Sequence, residues 1–129
     1  MTADNIVEQA LAWFDQGEYQ RILARRVAIA TESQSISRDA ELARYLDEEI
    51  KPALSAMGFR LLSVDNPHAA NRPFLIATRI EDSALPTVLS YGHGDVVFGD
   101  DENWRSDLSP WTLKEEGDRW SGRGSADNN

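Results

Sequence analysis

The sequence predicts an α/β fold in which N-terminal helices come first and a mixed sheet follows. Up to about residue 58, apolar residues recur with helical spacing, and beyond it short β-rich runs alternate with turn residues. The 129 residues suit one domain, and 41% hydrophobic with 27% charged residues is an ordinary globular mixture. Because the strands follow the helices instead of alternating with them, a regular βαβ series is not expected.

Three helices are predicted in the first half of the chain. The first ends at Gly17, the second covers residues 18–30, and the third and longest ends at Gly58. Pro52 lies inside the third helix, where a proline removes a hydrogen bond at a cost of about 3 kcal/mol. We therefore expect that helix to kink or split near Ile50. The apolar face of the first helix is formed by Ile6, Val7, Ala10, Leu11, Trp13 and Phe14.

A sheet of three to five strands is expected to follow. Residues 59–64 and 74–80 have strand-like patterns, and residues 87–91 form a short, mostly apolar run bounded by glycine. Such a run is typical of a central strand. A loop over residues 98–110 then leads to a hairpin over residues 111–121.

Charge and composition exclude several classes of function. The chain has 13 Lys and Arg against 22 Asp and Glu, a net charge of −9, which argues against binding nucleic acid or an anionic membrane. The absence of cysteine excludes disulfides and thiolate metal sites, so any metal needs His and carboxylate ligands. No apolar stretch approaches the roughly 20 residues of a membrane span. The N-terminus lacks the basic start of a secretory signal, so a cytoplasmic protein is expected.

The first candidate site residue is His93, directly after the apolar run. Gly92 and Gly94 leave its imidazole open to a ligand, and ligands bind at the ends of strands in open α/β sheets. Asp95 would point to the same side as His93 in an extended backbone, where its carboxylate can orient a metal-binding imidazole. The alternative is a loop histidine beside a turn aspartate.

The second candidate element is the segment Gly122–Asp127. Its glycines indicate a tight turn, and Asp127 offers hard oxygen ligands that can bridge two metal ions. The alternative is a polar loop with Asp127 as the N-cap of a following helix. Neither glycine-rich segment matches a nucleotide-binding motif, and no activated serine or cysteine is recognisable.

The other residues with functional potential are assigned to structure. His68 follows an Asn-Pro turn and is expected to be solvated. Trp104, Trp111 and Trp120 are expected to pack rather than to contact substrate.

Taken together, these motifs resemble the dizinc metallopeptidases related to aminoacylase, carnosinase, succinyl-diaminopimelate desuccinylase and the glutamate carboxypeptidases. That family carries an apolar strand running into His-x-Asp-x-Val, then a Trp- and Asp-rich loop, then a hairpin ending in Gly-Arg-Gly-x-x-Asp. Here the three parts are residues 89–97, 104–110 and 120–127. The match is specific over the C-terminal third, and the helical leader fits it loosely.

The resemblance implies a zinc-dependent, dipeptidase-like hydrolase of peptide or N-acyl amide bonds in small substrates. It implies that His93 is a ligand of one zinc, that Asp127 bridges two zinc ions, and that Asp95 is the acid behind His93. Cobalt or manganese could replace zinc. Members of the family are often homodimers, but residues 1–129 would match only the N-terminal part of the catalytic domain.

The departures from the family lead to three competing hypotheses. Asn129 stands where the family has lysine, and the Glu-Glu pair, the other metal ligands and the dimerisation domain have no counterpart. The leading hypothesis is an N-terminal piece of such an enzyme, inactive by itself. The alternatives are a non-catalytic α/β module that binds a partner or a single divalent metal, and a structural fragment without function.

Overall fold

A computed structural model describes residues 2–128 as a helical N-terminal half followed by two separate antiparallel β-hairpins. The mixed α/β character expected from the sequence is present. In chain order the elements are α1 (Ala3–Asp15), α2 (Glu18–Val27), α3 (Asp39–Tyr45), α4 (Lys51–Ala56), β1 (Arg60–Val64), β2 (Phe74–Thr78), β3 (Lys114–Glu116) and β4 (Arg119–Ser121).

The first two helices meet at a glycine, as the sequence predicted. The Thr2 hydroxyl caps α1 by accepting a hydrogen bond from the Asn5 amide at 3.4 Å. Gly17 has φ of 75°, a left-handed conformation that glycine adopts without strain, and α2 begins directly after it. Helix α1 buries none of its residues, whereas α2 buries Leu23 and Val27.

The predicted split of the third helix is confirmed. Between α3 and α4 the backbone forms a π-helical turn, Leu46–Ile50, and Pro52 lies in the first turn of α4. In the first turn of a helix the backbone N–H groups have no partner within the helix, so the N–H that proline lacks is not missed there. A helix that restarts at Lys51 therefore accommodates Pro52. The wider turn absorbs the change of hydrogen-bond partners.

Both short hairpins form where the sequence placed strands. Strand β1 pairs with β2 in a register that sets Leu62 opposite Ile76. Strand β3 pairs with β4 around Gly117, which has φ of 63°.

The prediction of a central strand over residues 87–91 is wrong. Val88, Leu89 and Tyr91 are 85%, 94% and 87% exposed, and no backbone pairing joins this run to another part of residues 2–128. A strand needs a neighbour to bond its amides and carbonyls, and the described chain offers it none. The single mixed sheet of three to five strands is therefore not formed in this part of the protein.

The buried core is small and lies between α2, the segment after it, α3 and the chain around Val96. Its apolar members are Leu23, Val27, Ile29, Ala30, Tyr45 and Val96. Val96 forms an isolated parallel bridge with Glu32, through its amide bonded to the Thr31 carbonyl at 2.9 Å. The core thus anchors the segment that carries His93 and Asp95. Among residues 2–128, none of the helices combines the length and apolar character needed to cross a bilayer.

An aromatic cluster attaches α1 to the rest of the molecule. Trp120 of β4 stacks on Phe14 and Tyr19 with ring centroids 5.7 and 5.9 Å apart, and Trp13 meets the Tyr19 ring edge-on at 5.7 Å. Because α1 buries no residue, these ring contacts are a main source of its stability.

Replacing Trp120 with alanine should therefore loosen α1 selectively. We expect a loss of about 1–3 kcal/mol in the free energy of unfolding, less than for a fully buried tryptophan. Urea denaturation measures the loss, and hydrogen exchange should show faster exchange in α1 than in α2. Trp13→Ala is the control, because Trp13 contacts one ring and should cost less. Unchanged protection of α1 in Trp120→Ala would contradict this role of the cluster.

Candidate metal centre

The three residues singled out from the sequence lie together. His93 Nδ1 is 3.1 Å from the Asp95 carbonyl oxygen and 3.3 Å from Asp95 Oδ1. On the other side of the ring, His93 Nε2 is 3.6 Å from Asp127 Oδ1. The side chains of His93, Asp95 and Asp127 are 34%, 44% and 49% exposed, so solvent reaches all three.

The spacing of His93 and Asp127 suits two ligands of one metal ion. At 3.6 Å the nitrogen and oxygen are too far apart for a direct hydrogen bond. Zinc bonds to imidazole nitrogen and carboxylate oxygen, arranged tetrahedrally, place two such ligand atoms about 3.3–3.5 Å apart. Asp95 engages Nδ1, which leaves Nε2 as the nitrogen that faces Asp127.

The donor set is incomplete within the described chain. No group of three His, Cys, Asp or Glu side chains among residues 2–128 is arranged to hold a metal ion. Asp95 does not add a third ligand to the Nε2 side, because its oxygens lie at Nδ1. Asn129 is outside the described residues.

The ring of Tyr45 packs against the backbone of the His93 segment. Its ring lies so close to Gly94 that a Cβ at that position would overlap it. Burial raises the pKa of the Tyr45 phenol above its ordinary value; the nearby Arg26 lowers that pKa and Glu49 raises it further. The phenol is therefore neutral at pH 7, and a neutral ring packs against the segment between His93 and Asp95.

A turn positions Asp127. The Arg123 amide donates to the Pro110 carbonyl at 2.7 Å, and the Asp127 amide donates to the Gly124 carbonyl at 3.0 Å. Gly124 has φ of 79°, which explains one glycine of this motif. The turn, including Asp127, and residues 96–97 line an open cleft of about 270 Å³.

The sequence did not indicate that Glu32 connects the segment after His93 with the turn that carries Asp127. Glu32, which follows α2 in the chain, is only 8% exposed and accepts a hydrogen bond from the Gly99 amide at 2.6 Å. The Gly99 carbonyl in turn accepts from Arg123 at 3.0 Å and from Trp104 Nε1 at 2.7 Å. Glu32 and Gly99 are 67 residues apart, so no local pattern could have indicated the contact.

The residues assigned to structure behave as expected. Trp104 lies against the Arg123 guanidinium at 5.4 Å, and Trp111 lies beneath Arg38 at 5.9 Å. Together with the stacking of Trp120, these contacts confirm that the three tryptophans pack within the chain. His68 is exposed in a turn, as predicted.

Comparison with known proteins adds no assignment. No family model matches the chain, and no curated protein matches it.

Substituting alanine for Gly94 should displace the His93 segment, because the new Cβ would overlap the Tyr45 ring. Overpacking of this kind costs about 1–3 kcal/mol, which thermal or urea denaturation would detect. Gly92→Ala is a matched control two residues away, since its Cβ would meet only Asn128 Oδ1 at 3.4 Å. Equal stabilities of the two variants would show that the Tyr45–Gly94 contact does not constrain the segment.

Proposed function

We propose that this chain supplies one part of the metal site of a zinc-dependent hydrolase that cleaves peptide or N-acyl amide bonds. The observation that carries the proposal is the approach of His93 Nε2 to Asp127 Oδ1 at 3.6 Å, with Asp95 at the opposite ring nitrogen. Histidine with an acid behind it, facing a second carboxylate, is a common arrangement of zinc ligands. The similarity of these motifs to the dizinc metallopeptidases gives the reaction class.

Each residue has a separate task in this proposal. His93 would hold the ion through Nε2, and Asp95 at Nδ1 would keep the ring oriented for it. Asp127 would hold the same ion through its carboxylate. When bound, the metal would supply an activated water and polarise the substrate carbonyl.

The small number of candidate metal ligands limits the activity that we expect of the 129-residue chain alone. A catalytic zinc site uses three protein ligands and an open position, whereas His93 and Asp127 provide two. No glutamate of residues 2–128 forms an ion pair with His93, so the described site shows no glutamate placed to act as a general base. We therefore propose weak metal binding and no turnover by the isolated chain. A cytoplasmic location and small peptide or N-acyl amino acid substrates belong to the same proposal.

A second candidate function is a non-catalytic module that binds a single divalent ion. The solvent exposure of His93, Asp95 and Asp127 favours it, because water can complete the coordination of an ion held by two protein ligands. The two candidates differ in affinity: an independent site binds stoichiometrically and tightly, whereas part of a larger site binds weakly.

Zinc titration by calorimetry should show weak binding that depends on His93 and Asp127. We expect His93→Ala and Asp127→Asn each to weaken binding by about tenfold or more, because each removes one of two ligands. His68→Ala is the matched control, since His68 is the other histidine of the chain and lies in an exposed turn. Equal loss in His68→Ala would place the zinc elsewhere, and tight binding by the unaltered chain would favour the independent module.

The purified chain, supplied with zinc or cobalt, should not hydrolyse dipeptides or N-acyl amino acids. The reason is that it lacks a third metal ligand and a general base. Product formation measured by chromatography tests this. Clear turnover that disappears in His93→Ala would contradict the claim of inactivity and show a complete site.

A further inference from the structure

We propose that Glu32 is a positioning residue that holds the His93 and Asp127 segments in register through Gly99, whose amide and carbonyl are both hydrogen-bonded. The inference rests on the proposed function for its meaning, but its structural part can be tested without metal. Glu32 lies outside every motif that indicated the metal site.

The carboxylate of Glu32 is buried and fully engaged. Oε1 accepts the Gly99 amide hydrogen at 2.6 Å, and Oε2 accepts from Arg38 Nε at 3.1 Å. A buried carboxylate is costly unless such partners compensate its charge. Both bonds involve a charged group and are therefore stronger than neutral ones.

The Glu32 backbone segment fixes the chain that follows His93. The Val96 amide donates to the Thr31 carbonyl at 2.9 Å, and the Ser33 amide donates to the Val96 carbonyl at 3.4 Å. With the bond from Gly99 to the Glu32 carboxylate, three hydrogen bonds tie residues 31–33 to residues 96–99. The first of these lies one residue beyond Asp95.

The carbonyl group of Gly99 reaches the Asp127 turn. It accepts a hydrogen bond from the Arg123 guanidinium at 3.0 Å, and the Arg123 amide donates to the Pro110 carbonyl. Arg123 belongs to the turn that ends at Asp127. A displacement of Gly99 is therefore transmitted to both candidate ligands, His93 on one side and Asp127 on the other.

Substitution of Glu32 tests this arrangement by NMR on the full 129-residue chain. In Glu32→Ala we expect amide signals of residues 93–99 and of residues 122–127 to shift together, with faster exchange of the Gly99 amide hydrogen. Glu32→Gln keeps an oxygen for Gly99 and should restore most of the unaltered spectrum. Should Glu32→Ala not fold, Glu32→Asp takes its place, because its shorter side chain withdraws the carboxylate from Gly99.

Arg79→Ala is the control for a merely structural role. Its partners are the Met57 carbonyl, at 2.8 Å, and Glu81, and neither is hydrogen-bonded to Gly99 or Tyr45. Site signals that move equally in Arg79→Ala and Glu32→Ala would overturn the proposal, as would unchanged signals on either segment in Glu32→Ala.

Zinc titration links the network to metal binding. Loss of supporting residues around metal ligands typically weakens affinity about 10- to 100-fold, and we expect Glu32→Ala to do so while Glu32→Gln stays within a few-fold of the unaltered chain. Unaltered affinity in Glu32→Ala would overturn the positioning role. If the unaltered chain binds no zinc, the proposed function fails, and the NMR comparison still decides whether Glu32 couples the two segments.

Discussion

The short backbone pairing between residues 31–33 and Val96 holds the C-terminal half of the described chain to the helical half. It lies inside the small core, beside Val27, Ile29 and Ala30, and the Glu32 carboxylate extends it to Gly99. Together with the packing of Tyr45 against Gly94, this pairing fixes the segment bearing His93 and Asp95 to the helical half of the molecule. The candidate site therefore depends strongly on a contact between a turn after α2 and a chain segment more than sixty residues away.

The rest of the molecule surrounds this contact loosely. Helix α1 is attached through aromatic rings, the β1–β2 hairpin exposes Leu62, Phe74 and Ile76, and the apolar run before His93 is almost fully exposed. Apolar surface of this kind favours association with other surfaces, and an unpaired run of β-forming residues adds to it. Few interactions, most of them polar, therefore hold the segments that carry His93 and Asp127 in place.

Local structure was predictable where short-range chemistry determines it. Gly17 ended a helix because its φ is positive, Pro52 forced the third helix to restart, and Gly117 allowed the hairpin to turn. The prediction of a strand over residues 87–91 was wrong because a strand forms only by pairing with a neighbouring segment. The apolar content of a run does not show whether such a partner exists. The meeting of His93, Asp95 and Asp127 was expected from a family resemblance, whereas the contacts of Glu32 and Tyr45 depend on long-range packing that no local pattern encodes.

The proposed function requires that His93 and Asp127 bind the same metal ion. Anomalous diffraction from crystals grown with zinc locates bound ions directly and identifies their ligands. The account predicts a zinc peak between His93 Nε2 and the Asp127 carboxylate, with Asp95 still at Nδ1. Zinc bound at His68 or among the acidic residues 100–102, with none at His93, would contradict it.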